Sequence, residues 1–275
     1  MAVPAVLTAV FGLAWGAALP TPAAPASVAH ATALRLMPLG DSITWGVGSS
    51  TGNGYRAVLR DELSSQGHRV DFVGSVRHGD MADSDNEGHP GYRIDQIAAL
   101  TDTALARYRP NVVTLEIGTN DLNQDHRVAT AADRLSALID RITADDPGVT
   151  VLVGSLIPSR SHTEEPHRPA FNRAVPGVVR AKRAAGEHVG YVDMSAVARS
   201  DLASPLHPDD RGYRKMAAAF DRAVQSADRA GWIKAPAAAG TRSGFADRCL
   251  NAGTGENGTV DPLWRCDSTE APRQP

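Results

Sequence analysis

Cysteine is nearly missing from this 275-residue sequence: there are two, Cys249 and Cys266, both within the last 27 positions. Two cysteines without neighbouring histidines leave a metal under-ligated, which argues against a structural zinc site. Their confinement to a tail suits an exported chain with one local disulfide. Lysine is almost as scarce, with Lys182, Lys215 and Lys234 the only three among 28 basic residues. Acidic residues outnumber basic ones by 31 to 28, so there is no basic footprint for nucleic acid. Aromatics make up only 5%, and no long apolar segment that could form a lid follows the first few dozen residues.

Long hydrophobic runs are also lacking. The apolar stretch Ala5–Leu19 is short for a membrane span. It leads into an Ala/Pro-rich segment with small residues at Ala24/Ala26 and Ala29/Ala31, a pattern that fits signal-peptidase cleavage. No Lys or Arg precedes the apolar core, so either the true start lies upstream or the signal is atypical. Residues 1–31 are read as a secretory signal, and the mature protein is expected outside the cell and free of the membrane.

What remains is an ordinary globular composition, 42% hydrophobic and 21% charged. Strand-like runs at Leu34–Leu39, Val70–Gly74, Val112–Ile117, Val149–Ile157 and Val189–Val192 alternate with amphipathic segments such as "YRAVLRDELSSQG", "IDQIAALTDTALARY" and "AADRLSALIDRITA". Continuous rather than alternating apolar runs imply strands buried on both faces, hence a mostly parallel sheet between helices, an α/β sandwich. Residues 32–233 are expected to form this domain, 234–243 ("KAPAAAGTRS") a linker, and 244–275 a tail too short to build a core without a staple.

In an open parallel sheet, ligands gather at the carboxyl ends of the strands. The first strand ends in Gly40-Asp41-Ser42, the second in Gly74-Ser75 and the third in Gly118-Thr119-Asn120-Asp121, and the loop after the fifth carries "SPLHPDDRGY" with His207. A hydroxyl, a glycine amide, a carboxamide and an imidazole thus fall on one rim, a parts list for acyl transfer. "GSSTG" at Gly48–Gly52 mimics the nucleophile elbow of another hydrolase class. It sits about ten residues past the strand, without the strand–turn–helix context that motif needs, so Ser50 is set aside.

"GDSIT", the isolated glycine of "VDFVGS", "GTND" and "LHP" stand in the order and spacing of the SGNH (GDSL-type) hydrolases, which this chain resembles over roughly residues 34–228. Within them, "MPLGDSIT", "GYR", "VDFVGS" and "NEGHPGYRIDQI" are similar to carbohydrate esterase family 3, the acetylxylan esterases. The resemblance implies a three-layer, flavodoxin-like sandwich with a five-stranded parallel sheet and ester hydrolysis without metal or cofactor. It implies Ser42 as nucleophile and His207 as base, with an oxyanion hole of the Ser42 and Gly74 amides and the Asn120 side chain.

The family pattern places an Asp three residues before the histidine, where this chain has Ser204. Three readings stay open: Ser204 Oγ or a backbone carbonyl accepts from the imidazole, Asp201 swings in, or the enzyme is impaired. Asp209 and Asp210 read instead as the start of the last helix. In "SRSHTEEPHRP", His162, Glu164, Glu165 and His167 match no established ligand spacing and are read as a solvated loop. Glu87 and His89 are read as either cleft or turn residues.

The tail, with Cys249-Leu250-Asn251, Asn257-Gly258-Thr259 and Leu263-Trp264-Arg265-Cys266, resembles the first part of a ricin-type β-trefoil repeat. That likeness implies a Cys249–Cys266 disulfide in a truncated module. Asn251 stands where the family places Asp, which weakens sugar binding by the module. The expected function is a secreted, monomeric deacetylase acting on a polysaccharide such as xylan. The alternatives are a secreted esterase or lipase acting on short acyl chains, and a carbohydrate-binding protein that has lost activity.

Overall fold

Short apolar runs become the strands. The computed structural model describes residues 32–235, together with Met1 and the dipeptides 248–249 and 264–265. The strands are β1 (Ala33–Gly40), β2 (Arg69–Phe72), β3 (Val76–Arg77), β4 (Asp85–Gly88), β5 (Val112–Glu116), β6 (Thr150–Gly154) and β7 (Val189–Val192). The helices are α1 (Ser42–Trp45), α2 (Arg56–Ser65), α3 (Ile94–Tyr108), α4 (Thr119–Asn123), α5 (Ala131–Asp145), α6 (Arg168–Ala184) and α7 (Asp210–Arg229).

The five expected strands all form, and they lie parallel in the order β2-β1-β5-β6-β7. That is the order of the flavodoxin-like doubly wound sheets, whose switch point lies beside the first strand. The sheet has seven strands rather than five, because a β3/β4 hairpin is added. β2 pairs with the first half of β1 and ends at Leu36↔Phe72, whereas β4 takes over its last residues, with Leu39↔Glu87 and Gly40↔Gly88. β4 reads "DNEG" and carries no apolar side chain. Its strand conformation comes from pairing with β1 rather than from its own propensity.

Two cores fill the two faces. Val113, Leu115, Val151 and Val153 pack with Ile97 and Leu105 of α3, Leu138 and Ile142 of α5, and Val175 of α6. Leu34, Leu36, Val112, Leu152 and Val192 pack with Leu59 and Leu63 of α2 and Met216, Phe220 and Val224 of α7. Truncating one such leucine to alanine typically costs about 2–5 kcal/mol. Among the described residues, no helix is long and apolar enough to cross a membrane.

Two further dipeptides, β8 (Arg248–Cys249) and β9 (Trp264–Arg265), pair antiparallel. The expected signal, the 236–243 part of the linker, the disulfide and the lectin-type repeat lie outside the described residues.

Candidate active site

β1 runs straight into α1, which lasts one turn before Gly46 ends it in the left-handed conformation at φ 106°. Asp41 caps this turn by accepting the Ile43 N–H at 2.9 Å. Ser42 is therefore the first helical residue; it is 8% exposed, and its own amide has no hydrogen-bond partner among the described residues. Its Oγ lies 2.9 Å from His207 Nε2. The loop before α7 presents that imidazole: the amides of Ala203 and Ser204 both donate to His207 O, and Leu202 bridges to Pro208. Burial holds the imidazole below the usual histidine range, so the ring is uncharged at neutral pH.

The partner on the far side of the ring is Ser204, whose Oγ is 2.8 Å from Nδ1. Asp201 does not swing in. Its carboxylate takes the Lys215 ammonium at 2.5 Å and the Ala198 N–H at 2.8 Å. As expected, Asp209 caps α7, accepting from the amides of Arg211 and Gly212 at 2.9 Å. Asp210 holds the amide and hydroxyl of Ser50 at 2.9 and 2.6 Å, which makes Ser50 a structural residue.

The oxyanion contribution expected of Gly74 meets a correction. Val73 N–H donates to Leu36 O, which puts Gly74 level with Pro38 in the middle of β1, four residues or at most about 13 Å short of Ser42 at strand spacing. Gly74 is buried, and an added Cβ would lie 2.1 Å from the Asn86 carbonyl, so this glycine permits the close approach of two backbones. The rim position belongs to Gly91. His89 N–H bonds Gly40 O, and His89-Pro90-Gly91-Tyr92 form a turn closed by Tyr92 N–H to His89 O at 3.1 Å. Gly91 has φ +82°, the third position of a type II turn. It is exposed, its amide has no hydrogen-bond partner among the described residues, and an added Cβ meets nothing within 4 Å. The "HPGY" run already spelled a type II turn; that it lies beside Ser42 depends on β4.

Asn120 sits at the start of α4, where Gly118 at φ 129° turns the chain out of β5. Its Nδ2 donates to Asp41 Oδ2 at 3.1 Å and to Tyr92 O at 3.0 Å. The carboxamide thus lies between the serine turn and the Gly91 turn, and both of its N–H groups are engaged there. The neighbouring Asp121 accepts the Ile94 N–H at 2.9 Å and pairs with Arg134, anchoring the start of α3.

Three further groups surround the site, of which the sequence flags only Glu87 and His89, as either cleft or turn residues. Arg56, fully buried, donates to the carbonyls of Trp45, Gly52, His78 and Ser84, tying together the loops behind Ser42. His89 Nε2 meets buried Glu87 at 2.7 Å and stacks on half-exposed Tyr92 with centroids 4.9 Å apart. Beneath the site lie three buried carboxyls. Burial lifts Asp41 to about 7 and Glu164 to about 7, and pushes Glu116 well above the ordinary range. Glu164 had been expected in a solvated loop; instead the loop folds it inward while Glu165 pairs with Arg168 and Arg199.

Known proteins share this fold. A Clostridium thermocellum family 3 carbohydrate esterase is 35% identical, with a TM-score of 0.66, the match covering 72% of this chain and 98% of that one. A carbohydrate esterase family 3 structure from Talaromyces cellulolyticus is 26% identical, with a TM-score of 0.62, covering 71% and 99%. A multidomain esterase of Ruminococcus flavefaciens is 28% identical over 230 residues, 71% of this chain but 29% of that protein, so the chain spans less than a third of that relative. Residues 39–215, from the end of β1 into α7, match the GDSL-like lipase/acylhydrolase family, and the chain belongs to that family.

Proposed function

We propose that this chain is an exported serine esterase that removes acetyl groups from a polysaccharide such as xylan. The observation that carries the reading is the 2.9 Å contact between Ser42 Oγ and His207 Nε2 at a rim where two backbone amides are unengaged among the described residues. Ser42 Oγ attacks the acyl carbon as His207 takes its proton and delivers it to the leaving sugar oxygen. Water, deprotonated by the same imidazole, then releases acetate. The amides of Ser42 and Gly91, with the Asn120 side chain, receive the oxyanion.

Likeness to two family 3 carbohydrate esterases supports the acetyl-carbohydrate substrate. The apolar and then Ala/Pro-rich run at 1–31 supports export, and the lectin-like tail at 244–275 supports a polysaccharide context. One observation favours a second reading, a carbohydrate-binding protein with impaired turnover: no carboxylate reaches His207 Nδ1 among the described residues.

Hydrolysis of aryl acetate and aryl octanoate by the purified protein tests the proposal, with Ser42→Ala as control. The expected result is acetate cleavage that vanishes in the variant, followed by acetate release from acetylated xylan. Equal rates for wild type and variant on both aryl esters overturn it, and retention on insoluble xylan would then favour the binding reading.

A further inference from the structure

We propose that Ser204 holds His207 in the tautomer that cannot act as base, so that the resting enzyme is self-restrained and a carboxylate at position 204 would release it. This rests on the reading of Ser42 and His207 as nucleophile and base.

A serine hydroxyl offers two acceptor positions and one proton. The amides of Leu206 and His207 point at Ser204 Oγ from 3.3 and 3.1 Å and take both acceptor positions. The remaining contact, to His207 Nδ1 at 2.8 Å, is left for the hydroxyl's own proton. Oγ therefore donates and Nδ1 accepts. The single proton of the neutral imidazole then sits on Nε2, which donates to Ser42 Oγ across 2.9 Å. General-base catalysis requires the reverse arrangement, a bare Nε2 facing the serine hydroxyl and a proton on Nδ1 given to an acceptor.

Among the described residues, no other group supplies that acceptor. Asp41, below Ser42, is taken by the Ile43 amide and Asn120. Asp201 is held by Lys215, Asp209 caps α7, and Asp210 holds Ser50. From the loop after β6, Glu165 pairs with Arg168, while Arg160 reaches the Leu202 carbonyl. Reaching the reactive form needs the ring proton to leave Nε2 for solvent while another arrives at Nδ1. The ring keeps one proton throughout and no charge is created. Ser204 must then turn its hydroxyl away and release one backbone amide. A carboxylate has two oxygens and no proton, so it could accept from both amides and from Nδ1 together.

The tautomer can be read directly by ¹⁵N NMR of histidine-labelled protein above pH 7, with the His207 signal assigned by its loss in His207→Gln. The expected result is a proton on Nε2 in the wild type and on Nδ1 in Ser204→Asp. On aryl acetate, Ser204→Asp should raise kcat by at least about tenfold, since a wrong tautomer costs up to about 10⁴ in a related triad. The acid limb of its kcat/KM profile should move up by about one pH unit, because the new carboxylate favours the imidazolium. Ser204→Ala, which removes the donor, should be more active than the wild type. A proton on Nδ1 in the wild type overturns the proposal, as does a Ser204→Ala variant with unchanged melting that loses activity. If no ester is cleaved by any variant, the esterase reading fails, while the NMR result still decides the tautomer.

Discussion

Asp41 and Asn120 meet across the sheet: Asp41 Oδ2 accepts from Asn120 Nδ2 at 3.1 Å, while Asp41 Oδ1 accepts the Ile43 amide at 2.9 Å. One carboxylate thus aims the turn that carries Ser42 and the carboxamide that faces it. Asp41→Ala removes both bonds at once. We expect a loss of about 1 kcal/mol in stability from the missing cap, measurable by urea unfolding. The fall in kcat on aryl acetate should exceed that in a helix-cap variant such as Asp209→Ala, which leaves the Asp41–Asn120 contact intact.

Gly74 and Gly91 should separate stability from activity. An alanine at 74 meets the Asn86 backbone at 2.1 Å, so Gly74→Ala should lower the melting temperature sharply. An alanine at 91 meets nothing within 4 Å but must hold φ +82°. A non-glycine residue pays about 1–2 kcal/mol there, and a shifted turn misplaces the Gly91 amide. Gly91→Ala should therefore cut kcat/KM while leaving most of the stability. A rate unchanged in Gly91→Ala, with loss in a folded Gly74→Ala, would return the oxyanion contribution to Gly74.

Asn120→Ala leaves Asp41 Oδ2 and the Tyr92 carbonyl without their shared donor. Removing one oxyanion donor typically costs about 10²–10³ in kcat. The expected signature is a fall in kcat with KM nearly unchanged, read by steady-state kinetics on aryl acetate.

The buried carboxyls make stability depend on pH. Asp41 and Glu164 titrate near 7 in the fold, against ordinary values of 3.8 and 4.5. Between about pH 4 and 7 the folded protein keeps protons that the unfolded chain has released, so stability falls as pH rises through that window. For these two groups it levels off above about 7; Glu116, also raised by burial, contributes a fall of the same sign. Melting temperature against pH should show this slope, and Glu164→Gln should flatten it. A melting temperature that rises from pH 5 to 8 in both proteins contradicts the assignment.

Arg56 is the tie among the loops behind the serine. Its guanidinium serves the carbonyls of Trp45, Gly52, His78 and Ser84. Arg56→Ala strands several buried carbonyls and should cost more than about 3 kcal/mol at about 1–3 each. Arg56→Lys should not restore it, because a single ammonium cannot span the planar fork's reach. Chemical denaturation of the three proteins decides the point.

Local pattern sufficed wherever a residue's environment follows from its own neighbours in sequence. The apolar runs of β1, β5, β6 and β7 announced a sheet buried on both faces, and "GDS" after β1 placed Ser42 at a strand end. "LHPDD" foretold both His207 and the Asp209 cap, because capping is a matter of adjacent residues. Gly74 was misplaced for the converse reason. A strand-ending glycine looks the same in sequence whether it meets a substrate or a neighbouring backbone, and only the handover from β2 to β4 along β1 decides which.

What the sequence determined by itself is therefore the sandwich and the order of the motifs at its strand ends, while the choice of Ser42 and His207 as a pair came from the resemblance to the SGNH hydrolases. Periodicity and strand-end residues are local signals, and the first two features need nothing more. What only the tertiary structure decided is which glycine turn lies beside Ser42, that Arg56 gathers four carbonyls, that Glu164 turns inward, and that Ser204 rather than Asp201 meets the imidazole. Each of these depends on contacts between segments far apart in the chain, or on which of several partners claims a carboxylate first. Hydrogen bonds of that kind are settled by three-dimensional competition among donors and acceptors, and one-dimensional spacing does not record its outcome.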